Sequence, residues 1–502
     1  MFNDQATLTL IGRAISLHPA ELGAIFESDC IITLARMGTP SMENNWKRQM
    51  EYEPQREFWY DVHPTTGQRL FFTHRGFAKR ICETLTRRGI TVNILEARPS
   101  GLLPPDFSKV AGVKWRGRQT EIFVKILAEL GKGMGGVLDC PTGWGKSFLL
   151  AQWCKVLSKA TITIIEPSID IANEVHDSLS GHFKTGIIGD GKRRQERVTV
   201  AIANSMKYCD KNSNLVIFDE CHIAPAPTHR KNLMMFERAL FLGVTASPEG
   251  RADQGDAYLE AIFGPVIDKV GYQEAVEGGN VVQLTVIQVP VRSGPNVQSY
   301  GRRDLKNRVG IWLNPQRNNA VKWAVEDAKA LHPGWQPQIL IMVETALHAY
   351  ALKKLLPEFT VVTGEVDDER AAELVKAGVL ETEVTGSEPG DVAYKDLCSK
   401  KDRERYKAEF SAGTLRYAIA TMVWSKGVNF LDLDVLIRAD GTASDITSTQ
   451  VPGRLSRLGS DGKKGGAYLY DFKDIFSPDL ERRSNDRFAS YSRNGWKLEK
   501  RT

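Results

Sequence analysis

Short apolar runs punctuate this chain, and the stretches between them carry apolar residues at the three- and four-residue spacing of a helix. Between about 111 and 275 the runs at 161–165, 198–202, 215–218 and 239–245 read as strands separated by helices. Strands apolar on both faces and alternating with helices belong to a buried parallel sheet. A segment rich in valine and glycine follows from 278 onward. A second alternating series then begins, with strands expected at 338–343, 359–362, 415–421, 434–437 and 467–470. Two such sheets in tandem imply a cleft between them. Residues 364–402, with Glu388-Pro389-Gly390 and many charges, look like an insertion on the second sheet. The first 110 residues read as a separate mixed unit: a helix over 77–85, a turn at Arg88-Gly89, a strand over 90–95 and a proline-rich linker at 99–105. The expected fold class is therefore α/β, with two tandem parallel-sheet domains (111–275 and 276–475), a small α/β domain before them (1–110) and a basic extension after them (476–502).

Composition changes this picture little. A chain of 502 residues, 42% hydrophobic and 25% charged, is that of an ordinary globular protein of several domains. No apolar run approaches the ~20 residues that span a bilayer, and the first residues lack the basic and apolar regions of a secretory signal. Seven cysteines at 30, 82, 140, 154, 209, 221 and 398 form no C-x-x-C pair, so neither a disulfide framework nor a zinc site is indicated. A cytoplasmic protein without a membrane partner is expected. The net charge of +5 matters more by place than by size. Residues 450–502 hold twelve Lys/Arg against seven Asp/Glu, which equals the whole excess. With Tyr491 and Trp496, that segment reads either as a solvated basic tail or as a surface that follows a phosphate backbone.

The chemistry is concentrated at Asp139-Cys140-Pro141-Thr142-Gly143-Trp144-Gly145-Lys146-Ser147. An apolar run enters this loop and a helical pattern leaves it. Gly143 and Gly145 let the backbone curl so that successive N–H groups face phosphate oxygens. Lys146 can reach the β- and γ-phosphates, and the Ser147 hydroxyl can ligate Mg²⁺. Cys140 stands where the usual G-x-x-x-x-G-K-[ST] pattern begins with glycine. A second motif supports the first. The apolar run 215–218 ends in Asp219-Glu220-Cys221-His222, at the strand end where α/β sheets hold their ligands. Asp219 would hold Mg²⁺ through water, and Glu220 would orient and deprotonate the attacking water. Farther on, Arg454 and Arg457 lie three residues apart on one helical face, and such guanidiniums can absorb charge on a transferring phosphoryl group.

These motifs, in this order, resemble those of a superfamily 2 helicase or translocase over about residues 111–475. Arg116-Gly117-Arg118-Gln119 is similar to the adenine-reading element of that family, and residues 141–147 resemble its motif I. Glu166-Pro167-Ser168 is similar to motif Ia, Asp219–His222 to a DECH box, and Thr245-Ala246-Ser247-Pro248 to motif III. Thr421, with Ser425-Lys426-Gly427-Val428-Asn429, resembles motif V, and the segment from Gln450 to Arg457 resembles motif VI. The resemblance implies two RecA-like domains, ATP and Mg²⁺ as cofactors, and DNA as partner. It implies adenine reading by Gln119 and Arg116, nucleotide contacts from Gly427 and Asn429, and strand contacts from Pro167, Ser168 and Thr421. It also implies relay of the nucleotide state through His222, Thr245, Ser247 and Gln450; a hydrogen-bonded core histidine is the lesser, alternative reading of His222.

Arg251-Ala252-Asp253, Phe263-Gly264-Pro265, Arg75-Gly76 and Gly89-Ile90 are similar to the branch that holds UvsW, XPB and RecG-like enzymes. That likeness implies a phage-type motor acting on forked or junction DNA in replication, recombination or repair. An RNA helicase and a duplex translocase without strand separation are the alternatives.

Overall fold

The computed structural model describes residues 5–11, 13–37, 50–63, 65–96, 101–246, 257–384, 392–394, 397–424, 432–442, 452–453, 455–459, 464 and 466–501. The chain divides into two compact units, Met1–Pro141 with Gly145–Gly271, and Tyr272–Thr502 with Thr142–Trp144.

The first unit opens with strands β1 (Gln5–Ile11), β2 (Ala14–His18), β3 (Ile31–Met37), β4 (Met50–Arg56), β5 (Phe58–Val62), β6 (Arg69–His74) and β7 (Thr91–Glu96). Five of them form one sheet in the order β5-β6-β2-β1-β7, and β3 pairs with β4 alone. The helix expected near 77–85 spans Ala78–Arg87 and buries Ala78, Ile81 and Leu85, the one stripe its spacing supplies. This sheet does not form a compact unit of its own. Leu8, Leu17, Phe71 and Leu85 share one apolar cluster with Phe218 and Phe241 of the next sheet and with Phe263, which ends the helix Ala257–Phe263. Arg13, in the turn between β1 and β2, donates to the carbonyls of Ala239 and Ile262 and stacks over the Phe241 ring at 3.5 Å. Gly76 closes the same contact, because a Cβ there would meet the Glu260 carbonyl oxygen at 1.8 Å.

The second sheet of this unit holds β8 (Gly136–Asp139), β9 (Ile162–Glu166), β10 (Thr185–Gly189), β11 (Lys192–Arg194), β12 (Val198–Ile202), β13 (Leu215–Asp219), β14 (Leu240–Thr245) and β15 (Val266–Lys269). Their order is β11-β10-β12-β9-β13-β14-β8-β15, parallel throughout except for the antiparallel β11. Every residue of β9, β13 and β14 is buried, as expected for strands covered on both faces.

The second unit holds β16 (Leu284–Val291), β17 (Ile339–Met342), β18 (Thr360–Val362), β19 (Thr382–Val384), β20 (Val392–Tyr394), β21 (Tyr417–Ala420), β22 (Val435–Arg438), β23 (Ala467–Asp474) and β24 (Lys497–Lys500). Its main sheet runs β18-β21-β17-β22-β23-β16-β24, all parallel, and β19 pairs with β20 apart from it. Each strand expected from the pattern is present, with two more at one edge.

Those edge strands correct the reading of 476–502 as a basic extension. The helix Pro478–Arg493 and β24 are integral to the sheet, and Arg487, Tyr491 and Trp496 are buried. Arg487 forms a two-pronged pair with Asp471, 2.8 Å on each side, so its charge is neutralised inside rather than offered to a phosphate backbone. Among the described residues no helix is long and apolar enough to cross a membrane.

Candidate nucleotide site

The phosphate loop follows β8 and leads into the helix Lys146–Val156. Gly143 and Gly145 take φ of +87° and +111°, a conformation that L side chains rarely adopt. At Gly145 space is closed as well, since a Cβ would stand 2.6 Å from the Gln119 side-chain nitrogen. Gln119 is buried, and its Oε1 accepts the Arg116 N–H at 3.0 Å, so the predicted adenine reader also fixes the turn before its own helix. Arg116 and Ser147 are exposed, whereas Trp144 is buried. A helix N-terminus with free N–H groups behind such a loop attracts anions.

Lys146 Nζ lies 2.8 Å from Glu220 Oε1 and 3.8 Å from Asp219 Oδ1. Burial alone would lower the lysine pKa, but the two carboxylates outweigh it and hold the ammonium above its ordinary range. Burial would likewise raise Glu220, yet Lys146 and His222 bring it well below the carboxylate range. Asp219 goes the other way, raised by burial and by the neighbouring Glu220 charge. Glu220 sits at φ +50°, the left-handed region that few non-glycine residues occupy, and its N–H donates to Asp219 Oδ1 at 2.9 Å. The backbone thus turns sharply at the end of β13, and both carboxylates face the lysine.

From Glu220 the contacts run on to β14. His222 Nδ1 lies 3.3 Å from Glu220 Oε2 and 3.1 Å from the Thr245 hydroxyl, which itself donates to Glu220 Oε2 at 3.4 Å. The histidine is buried and is joined to the acid that faces the lysine.

Sequence reasoning missed Glu166 as a titrating group. It ends β9, one step beyond the pairing of Ile165 with Phe218, and so continues the register towards Asp219. Its side chain is fully buried, and neither carboxyl oxygen has a hydrogen-bond partner among the described residues. Burial, then the Asp219 and Glu220 charges, push its pKa well above the ordinary value. The available signal was a carboxylate closing an otherwise apolar strand. Cys140 and Cys221 are also fully buried, and burial pushes both thiols up, so neither is placed for easy oxidation.

The donors present fit Mg²⁺ with a triphosphate. Among the described residues no group of three or more His, Cys, Asp or Glu could hold a metal by itself. Mg²⁺ commonly keeps waters and shares phosphate oxygens, and then needs only one or two protein oxygens. Asp219 and Ser147 would supply these. Pro141, Thr142, Pro167 and Ser168 are half-buried, Thr421 is buried, and Arg457 is half-buried in the second unit. Ser247, Gly427, Asn429, Gln450 and Arg454 lie outside the described residues.

The family described as "Type III restriction enzyme, res subunit" matches residues 112–250. The DNA 3'-5' translocase XPB2 of Sulfurisphaera tokodaii is 24% identical over 344 residues, covering 64% of this chain and 74% of that protein. A fragment assigned to the HsdR subunit of a type I restriction enzyme from Vibrio vulnificus aligns over 89% of this chain and 78% of that one, with 16% identity and a TM-score of 0.50. The structure of T4 UvsW aligns over 99% of both chains, at 13% identity and a TM-score of 0.37. The chain is thus similar to ATP-dependent nucleic-acid helicases and translocases of superfamily 2, XPB proteins among them.

Proposed function

We propose that this chain is an ATP-driven DNA motor that unwinds or branch-migrates forked and junction DNA in replication, recombination or repair. The observation that carries the reading is the Lys146 ammonium, buried and balanced by Glu220 and Asp219 at the C-terminal edge of a parallel sheet. A triphosphate that recruits Lys146 releases Glu220 from its tightest partner. Glu220 is then free to hold the attacking water and accept its proton, while the loop N–H groups and Lys146 steady the phosphates. Bound Mg²⁺ would neutralise charge on the phosphate oxygens, with Asp219 and Ser147 as its protein ligands. Arg454 and Arg457 supply the remaining cations, a contribution of about 10³–10⁵ in rate where arginine fingers have been removed. The contacts from Glu220 through His222 to Thr245 give the nucleotide state a route out of the site.

Translocation along duplex without strand separation is the second reading, favoured because the Sulfurisphaera relative is named a DNA translocase. A strand-displacement assay on forked DNA, four-way junctions, plain duplex and RNA separates these readings, with Lys146→Ala as control. Loss of ATP turnover with DNA binding retained is expected of Lys146→Ala. Full turnover in that variant overturns the phosphate-site assignment, and turnover indifferent to every nucleic acid overturns the motor.

A further inference from the structure

In the first unit β10 turns at Asp190-Gly191 into β11, whose Lys192, Arg193 and Arg194 are all exposed. Because β10 and β12 run parallel to β9 and β13, the turn lies on the sheet edge that also carries the phosphate loop and Asp219. β12 leads at the same edge into residues 203–208, which end in the exposed Tyr208. Two cations converge on that ring: the Arg193 guanidinium stands 3.9 Å from its centroid and the Lys207 ammonium 5.0 Å.

Between 190 and 208 there are five cations (Lys192, Arg193, Arg194, Arg197 and Lys207) and two carboxylates, Asp190 and Glu196. Glu196 is paired with Lys184 at 2.6 Å. Arg197 donates to the Cys154, Leu157 and Ala160 carbonyls, and Arg194 donates to the Thr185 carbonyl and to His176. Among the described residues Lys192, Arg193 and Lys207 form no ion pair, so the surplus is local and uncompensated. Charged side chains on an edge strand block unwanted strand pairing, a role that Lys192 alone would fill. That role does not account for Arg193 and Lys207 sharing one aromatic face. Two like charges near one ring repel each other, and a phosphate between them relieves the repulsion.

We propose that the β10–β11 hairpin, with Lys207 and Tyr208, is a contact for the phosphate backbone of a nucleic-acid strand. Arg193 and Lys207 bear the phosphates, and the Tyr208 ring holds the guanidinium in place. The contact carries no base readout, so it tolerates any sequence and weakens with salt. The proposal rests on the motor reading above and names the track by which that motor holds its strand.

The test uses the full chain with Arg193→Ala/Lys207→Ala, and Lys132→Ala/Arg302→Ala as a charge-matched control. Fluorescence anisotropy gives affinity for single-stranded DNA, duplex DNA and RNA of one sequence across a salt series, and basal ATP turnover is measured beside it. The expected result is an unchanged basal rate and a slope of log affinity against log salt shallower by about 1.4–1.8, two phosphates at roughly 0.7–0.9 each. Tyr208→Leu keeps both charges, so it should keep the slope and lose affinity severalfold. Wild-type affinity and slope in the double variant overturn the hairpin contact alone. A wild-type chain that binds no nucleic acid overturns this contact and the motor reading together. The three nucleic-acid arms show which strand the hairpin holds.

Discussion

Arg487 offers the sharpest test of how the second unit is held together. Replacing it with methionine keeps most of its volume and removes four hydrogen bonds: two to Asp471, one to the Phe472 carbonyl at 3.0 Å and one to the Thr442 carbonyl at 3.3 Å. Asp471, fully buried, is left with the Tyr491 hydroxyl at 2.7 Å and the Phe472 N–H at 2.7 Å. Breaking a buried pair on one side costs about 3–5 kcal/mol, because the remaining charge has lost its counter-ion. For a unit of this size that corresponds to a melting transition lower by roughly 8–16 °C, taking about 4 kcal/mol at about 2–4 °C each. Removing both charges in Arg487→Met/Asp471→Leu should recover a good part of the loss, since Tyr491 still receives Arg438 at 2.9 Å. Differential scanning calorimetry on the three proteins, with DNA affinity measured alongside, decides the matter. If Arg487→Met melts like the parent but binds DNA more weakly with a shallower salt slope, the buried pair is not what Arg487 is for, and the basic-tail reading returns.

Two further outcomes follow from the nucleotide site. Glu166 holds its proton above the ordinary 4.5, so that contribution to stability is complete below about pH 4.5 and is lost as pH rises towards the folded value. Glu166→Gln should therefore melt above the parent at pH 8, with the gap narrowing as pH falls; a gap independent of pH would show that the carboxyl is ionised in the fold. Gly145→Ala places a Cβ 2.6 Å from Gln119 at φ +111°, a strain of about 1–3 kcal/mol. It should raise the KM for ATP by about tenfold, and an unchanged KM would mean that the loop yields without consequence.

Legibility in the sequence followed a physical division. The phosphate loop could be read because its demands are local: Gly143 and Gly145 must adopt positive φ, and Lys146 must begin a helix. Asp219 and Glu220 could be read because a buried apolar strand ending in two acids leaves the sheet at its ligand edge. β14 and β17 were visible for the same reason, as unbroken apolar runs. β11 and β24 were not, since Lys192–Arg194 and Lys497–Lys500 are polar edge strands whose only sign of pairing is the neighbour they pair with. Glu166 was noticed as part of a motif, but its raised pKa comes from burial and then from Asp219, which is distant in sequence and adjacent in register.

The basic C-terminal stretch shows why charge is the least transferable of these signals. In sequence, Arg487 and Arg483 look like any exposed arginines on an amphipathic helix. In the fold, Arg487 faces Asp471 and Arg483 reaches Asn307 at 2.9 Å, and Arg438 of β22 grips Asp440 through both prongs at 2.9 and 3.0 Å. Arg193 and Lys207 look no different in sequence, yet among the described residues they form no ion pair with a carboxylate. What separates the two sets is whether a counter-ion is folded in beside them. A positive count therefore marks a phosphate-binding surface only after the internal pairs have been subtracted, and Arg193 and Lys207 remain after that subtraction.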